Sequence, residues 1–134
     1  MTTTIVSLLL DARYKRWQLR AAGTLYLLVL VLGSIPGARL KVGELASGGV
    51  LHALTYGVIT LLLFAGMHNV QWRKACMAVL TVAAMGALDE YVQSFFPYRS
   101  ATVHDWLVDV AAALTVAAAL YLCWPRDKAA LNAH

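Results

Sequence analysis

The chain has 134 residues, of which 60% are hydrophobic and 13% charged, with a mean hydropathy of +0.66. A domain of this length cannot hide so much apolar surface in its own core, so a soluble globular protein is excluded and a bilayer must take that surface up. The formal net charge of +4 does not mark a nucleic-acid binder, because the basic residues fall at the ends of apolar runs, where they set topology and touch anionic lipid. In chain order, residues 1–18 form a cytoplasmic N-terminal segment. Its first stretch, Met1 to Leu10, either lies along the inner membrane surface or is disordered. The first span runs from about Leu19 to Ile35 and stops at Pro36-Gly37; the second covers Val50 to Met67. The third runs from Ala75 to Phe96, and the fourth from Asp105 to Trp124, ended by Pro125, which leaves residues 125–134 as a tail. Each span is close to the ~20 residues that carry a helix across the hydrocarbon core. The expected fold is all-α: a four-helix transmembrane bundle in one membrane domain, residues 19–124, with short loops and antiparallel neighbours. Cleavage of a signal peptide near Gly37-Ala38 is the competing reading of the N-terminus, disfavoured by a long apolar run and a poor cleavage pattern.

Lysines and arginines orient the bundle. Arg13, Lys15, Arg16 and Arg20 flank the start of the first span, Arg73 and Lys74 separate the second and third, and Arg126 and Lys128 follow the fourth. Only Arg39, Lys41 and Arg99 fall on the other side, so both termini are expected in the cytoplasm. Trp106 and Trp124 bracket the last span at about 27 Å of helix, the spacing of interfacial aromatic belts. Trp17 and Trp72 belong to the cytoplasmic interface and Tyr98 to the opposite one. Cys76 and Cys123 fall near the cytoplasmic face, where thiols stay reduced, and read as small packing residues. Ala83/Ala87 and Ala113/Ala117, with Gly86, are spaced to let the last two helices approach closely.

Against this apolar background the polar residues are conspicuous. Asp89, Glu90 and Gln93 lie in the outer third of the third span, Arg99 in the outer loop, and Asp105 and Asp109 in the start of the fourth. His52 and Tyr56 sit near the outer end of the second span, with Glu44 just before it. A charge costs roughly 2.5–3.5 kcal/mol at the bilayer centre on insertion scales, so such residues mark function. Asp89/Gln93, Asp105/Asp109 and His52/Tyr56 are each four apart and share a helix face. Glu90 is turned about 100° from Asp89, and a span ending at Phe96 puts Asp89 some 10 Å below the interface. Structural readings stand beside the functional ones. Arg99 pairs with Asp89, Glu90 or Asp105; Thr102-x-x-Asp105 is a capping box; His52 is a hydrogen-bonded bundle histidine; Gln93 is interhelical glue. Asp89, Glu90 and Asp109 are hardest to explain structurally, although buried ion pairs can be architectural.

Together these residues resemble the VanZ-like family of small bacterial membrane proteins, from about Ser34 to Ala119. The resemblance lies in Ser34-Ile35-Pro36, in His52 followed by Tyr56, and above all in Asp89-Glu90-Tyr91-Val92-Gln93-Ser94-Phe95-Phe96-Pro97-Tyr98-Arg99-Ser100 with Asp105 following. The chain departs from the family in having Asp109 where Asn is usual, Ala112 where Gly is usual, and Gly48-Gly49 where an Asp-Lys pair commonly precedes the histidine. The resemblance implies a bacterial inner-membrane protein of the cell envelope. The family's name-giving member is associated with resistance to the glycopeptide teicoplanin.

Three functions remain open on the residues. The first is an accessory protein binding a membrane lipid or a lipid-linked envelope intermediate through Glu90, Asp89, Gln93, Arg99, Asp105, Asp109, His52 and Tyr56, with Arg99 on a phosphate or carboxylate. A divalent cation on Asp89, Glu90, Asp105 or Asp109 fits the preference of hard cations for oxygen. The second is an intramembrane hydrolase or transferase with Asp89, Glu90 and His52 as acid–base candidates; no zinc motif, phosphate cradle or nucleophile elbow supports it. The third is transport of a small solute or lipid, as a homo-oligomer, against which the cytoplasmic half lacks a polar path.

Overall fold

The computed structural model describes residues 5–37, 48–98 and 102–125, and among them there are helices and turns but no strand. Helix α1, Ile5–Leu10, is short. Gln18 Nε2 donates to the carbonyls of Leu8 (2.8 Å) and Leu9 (3.2 Å), groups a helix C-terminus leaves without an internal partner. Asp11 then caps a single 3₁₀ turn by accepting the Arg13 backbone N–H. The Arg13 guanidinium, 2.8 Å from the Asp11 carboxylate, holds that carboxyl below its usual range.

Four long helices follow: α2 (Lys15–Ser34), α3 (Gly48–Gly66), α4 (Gln71–Gln93) and α5 (Val103–Cys123). All four are long and apolar enough to cross a membrane, as the hydrophobic runs predict. Their limits shift where local chemistry overrules hydrophobicity. Helix α2 stops at Ser34 because Pro36 disfavours helical geometry at Ile35 (φ −86°, ψ 121°), and Gly37 then turns the chain at φ 79°. Helix α4 begins on polar Gln71, four residues before the expected Ala75, and ends at Gln93 rather than Phe96. Beyond Gln93 the Phe95 and Phe96 amides bond the carbonyls of Val92 and Gln93 in tight turns, and Pro97 excludes a further helical residue before it. Asp89 is therefore one turn from its helix end, about 6 Å rather than 10 Å deep at ~1.5 Å per residue.

Helix α3 is the hub, packed on α1, α2, α4 and α5, while α4 and α5 share the most extensive interface. Ala22, Tyr26, Tyr56, Ile59, Leu63, Phe64, Ala78, Val82 and Ala113 form the core. Helix α2 is an integral part of it: Ala22 and Tyr26 are buried, and the Tyr26 hydroxyl donates to the Met85 carbonyl at 3.0 Å. Outward-facing side chains such as Leu28, Leu54, Leu80, Leu114 and Leu122 are exposed, an apolar surface that only lipid accommodates.

Two ends can be distinguished. At the basic end Lys15 Nζ lies 3.4 Å from His68 Nδ1. Trp17 and Trp72 are exposed there, under the guanidinium groups of Arg20 and Arg73. The buried Lys74 ammonium sits 5.4 Å from the Phe64 ring and 5.5 Å from the Trp124 ring, within cation–π range. At the polar end α2 and α4 finish, α3 and α5 begin, and the Tyr98 hydroxyl donates to the Ser34 carbonyl at 2.6 Å.

Three packing expectations need correction. Trp106 and Trp124 do not form a lipid-facing belt; both are half-buried and turned inward, Trp106 Nε1 donating to the Ala83 carbonyl at 2.9 Å and Trp124 lying edge-on to Phe64. The buried face of α4 carries Ala78, Val82 and Gly86, leaving Ala87 exposed, because packing follows the 74/78/82/86/89/93 stripe and not the Ala83/Ala87 pair. Cys76 and Cys123 are exposed free thiols rather than packing residues.

Candidate functional site: buried acids at the polar end

His52 and Tyr56 stand one turn apart on α3 with their rings stacked at 5.9 Å and 22°. Each reaches an aspartate on a different helix. His52 Nδ1 is 2.9 Å from Asp109 Oδ1 on α5, and the Tyr56 hydroxyl donates to Asp89 Oδ2 on α4 at 3.3 Å. Asp109 is fully buried and Asp89 only 1% exposed. Buried carboxylates are retained only where partners offset lost hydration, and α3 supplies one such partner to each neighbour.

Gly86 makes room for Asp109. A Cβ at this position would lie 2.9 Å from Asp109 Oδ2 and 3.2 Å from Trp106 Cδ1, too close for any other residue without movement. Trp106 and Asp109 are three apart on α5 and so meet α4 on the same face.

Glu90 turns away from Asp89, as the 100° offset predicts, and is half-buried at the start of α5. Its Oε2 accepts the Thr102 backbone N–H at 2.7 Å. Thr102 is the N-cap of α5, its hydroxyl accepting from the Asp105 N–H at 3.2 Å. The first half of the expected capping box is thus present. The N–H that its second half would satisfy is bonded by a glutamate of the neighbouring helix instead. Asp105 is half-buried, 3.8 Å from His104 Nδ1. Arg99 and Glu44 lie outside the described residues.

The most informative atoms are those left over. Asp89 Oδ1, Glu90 Oε1, Asp109 Oδ2 and both amide atoms of Gln93 are buried without a hydrogen-bond partner. Gln93, 2% exposed, therefore does not act as interhelical glue among the described residues: it is buried on the same helix as Asp89, one turn away, with neither amide atom bonded. Native proteins rarely strand buried polar atoms, and each such atom calls for an explanation. Five of the six such atoms found among the described residues lie at this end of the bundle; the sixth, Gln18 Oε1, is at the other. Among the described residues, no three His, Cys, Asp or Glu side chains are placed to hold a metal ion. Asp89 and Asp109 are instead separately engaged by Tyr56 and His52.

Spacing brought His52, Tyr56, Asp89 and Asp109 forward, and it read Gly86 as a close-approach residue and Trp106 as an interfacial one without tying either to Asp109. Their signal was present, since Gly86 is three residues before Asp89 and Trp106 three before Asp109, on the same helix faces. No curated protein and no solved structure matches the chain. The VanZ/LLP1 family model matches residues 5–124, nearly the whole chain. With four helices long and apolar enough to cross a membrane, the chain is a multi-pass membrane protein that belongs to the VanZ/LLP1 family.

Proposed function

We propose that this protein lies in the bacterial inner membrane with both termini in the cytoplasm. In this reading its polar end faces outward and holds the head group of a membrane lipid or a lipid-linked envelope intermediate. The observation that carries this reading is the group of five stranded atoms on Asp89, Glu90, Gln93 and Asp109. A head group descending from the adjacent leaflet satisfies them without crossing the bilayer. Arg99, in the connection leading into α5, is the complementary group for the phosphate that such lipids carry.

The orientation has a direct test. In a Cys76→Ala/Cys123→Ala background, His104→Cys introduces a thiol at an exposed site in the first turn of α5. A membrane-impermeant maleimide is expected to label it in intact spheroplasts; labelling only after permeabilisation would invert the topology.

The ligand reading is tested by native mass spectrometry of the purified protein with its co-isolated lipids. Arg99→Ala and Glu90→Gln are expected to lose a lipid species that the wild type retains. The amide of Glu90→Gln keeps an acceptor for the Thr102 N–H, so this variant separates ligand loss from loss of the α5 cap. Identical lipids in all three proteins would leave the polar residues as architecture.

A further inference from the structure

We infer that the group recognised at the bottom of this site is a primary ammonium, carried by a lipid head group such as ethanolamine or by a small free amine; the inference rests on the ligand-binding reading above. It follows from the kind of atoms left unsatisfied. Asp89 Oδ1, Glu90 Oε1, Asp109 Oδ2 and Gln93 Oε1 are acceptors, and Gln93 Nε2 is the one donor among them. A phosphate or carboxylate brings only further acceptors and is repelled by the buried acids. A quaternary ammonium brings charge but no N–H, and so leaves the oxygens stranded. A hydroxyl brings a single donor and no charge. An ammonium brings three donors and a positive charge on one atom.

Charge balance points the same way. Asp89 and Asp109 are both essentially fully buried, and among the described residues their hydrogen-bond partners are one neutral phenol, Tyr56, and one imidazole, His52. Among the described residues, two carboxylates face at most one cation, a deficit that an ammonium fills. Gln93 is the independent observation. A side chain 2% exposed with neither amide atom bonded has no structural role that an apolar residue would not serve better. Its carbonyl, one turn from Asp89, completes a pair of acceptors on one face of α4.

The full-length protein is reconstituted in nanodiscs of phosphatidylethanolamine, phosphatidylcholine and phosphatidylglycerol in equal parts, and the lipids retained after ejection are counted. The first two lipids share phosphate and net charge and differ in whether the nitrogen carries three N–H donors or three methyl groups. Wild type is expected to enrich phosphatidylethanolamine over phosphatidylcholine about tenfold, the ratio corresponding to ~1.4 kcal/mol. Stepwise N-methylation of the head group should erode the preference. Asp89→Asn and Gln93→Met should abolish it, while lipid-facing Leu114→Ala retains it. Thermal unfolding verifies that each variant is folded, and Gln93→Met alone decides the matter if Asp89→Asn is not. Retained lipid without preference, or with preference for phosphatidylglycerol, overturns the ammonium inference and leaves the lipid-binding reading standing. Calorimetric binding of free ethanolamine with no lipid retained upholds the ammonium and overturns the lipid reading. Binding of neither overturns both.

Discussion

Gln93→Met is expected to make the protein more stable and less able to hold its ligand. Methionine matches glutamine in length and flexibility but has no strong donor or acceptor. The substitution removes two buried amide atoms that the fold leaves unbonded and restores about 1–3 kcal/mol of desolvation cost. Thermal unfolding in detergent, in the absence of added lipid, should show a higher midpoint than wild type. Lipid retention should fall in the same sample. A structural glutamine would give the reverse: Met would break hydrogen bonds, lower the midpoint and spare binding. Polar atoms kept at a cost to stability are the mark of a site selected for what it binds.

Gly86→Ala carries the largest expected structural effect. The added methyl group would meet Asp109 Oδ2 at 2.9 Å and Trp106 Cδ1 at 3.2 Å. Neither neighbour is free to yield, since Asp109 is held by His52 at 2.9 Å and Trp106 by the Ala83 carbonyl at 2.9 Å. Helices α4 and α5 must therefore separate or lose one of these bonds, at about 1–3 kcal/mol. The signature is coupling. In an Asp109→Ala background the nearest clash is gone, and Gly86→Ala should cost markedly less than in the wild type. Equal costs in the two backgrounds, measured by denaturant unfolding, would show that Gly86 and Asp109 do not interact.

Much of this molecule is legible in one dimension because the bilayer is a demanding solvent. A helix must run about 20 apolar residues to cross it, so the four spans are visible as runs. Charged residues must have a reason to be there, so Asp89, Glu90 and Asp109 stand out. The limits of the runs are less legible, since hydrophobicity and helicity part company at Phe95-Phe96, apolar residues that Pro97 keeps out of the helix. Partner choice is hidden for a different reason. Periodicity tells which face of α3 carries His52 and Tyr56, but not which neighbour each will meet. His52 meets Asp109 and Tyr56 meets Asp89 because α3 lies at the centre of the bundle, a property of packing and not of any one segment. The inward turn of Trp106 is hidden for the same reason: an indole at a helix end suits an interface and an interior equally well, and the Ala83 carbonyl decides.

The central position of α3 also bears on how the protein is made. The acid on α5 and the imidazole that bonds it are 57 residues apart, and the imidazole is synthesised first. When the last segment leaves the ribosome it carries an aspartate that would enter hydrocarbon at a cost of roughly 2.5–3.5 kcal/mol if unpaired. His52 is by then already in the membrane, so α5 enters against a waiting partner rather than bare lipid. The order of synthesis and the order of pairing agree: the buried acid of α5 follows its partner on α3 into the membrane.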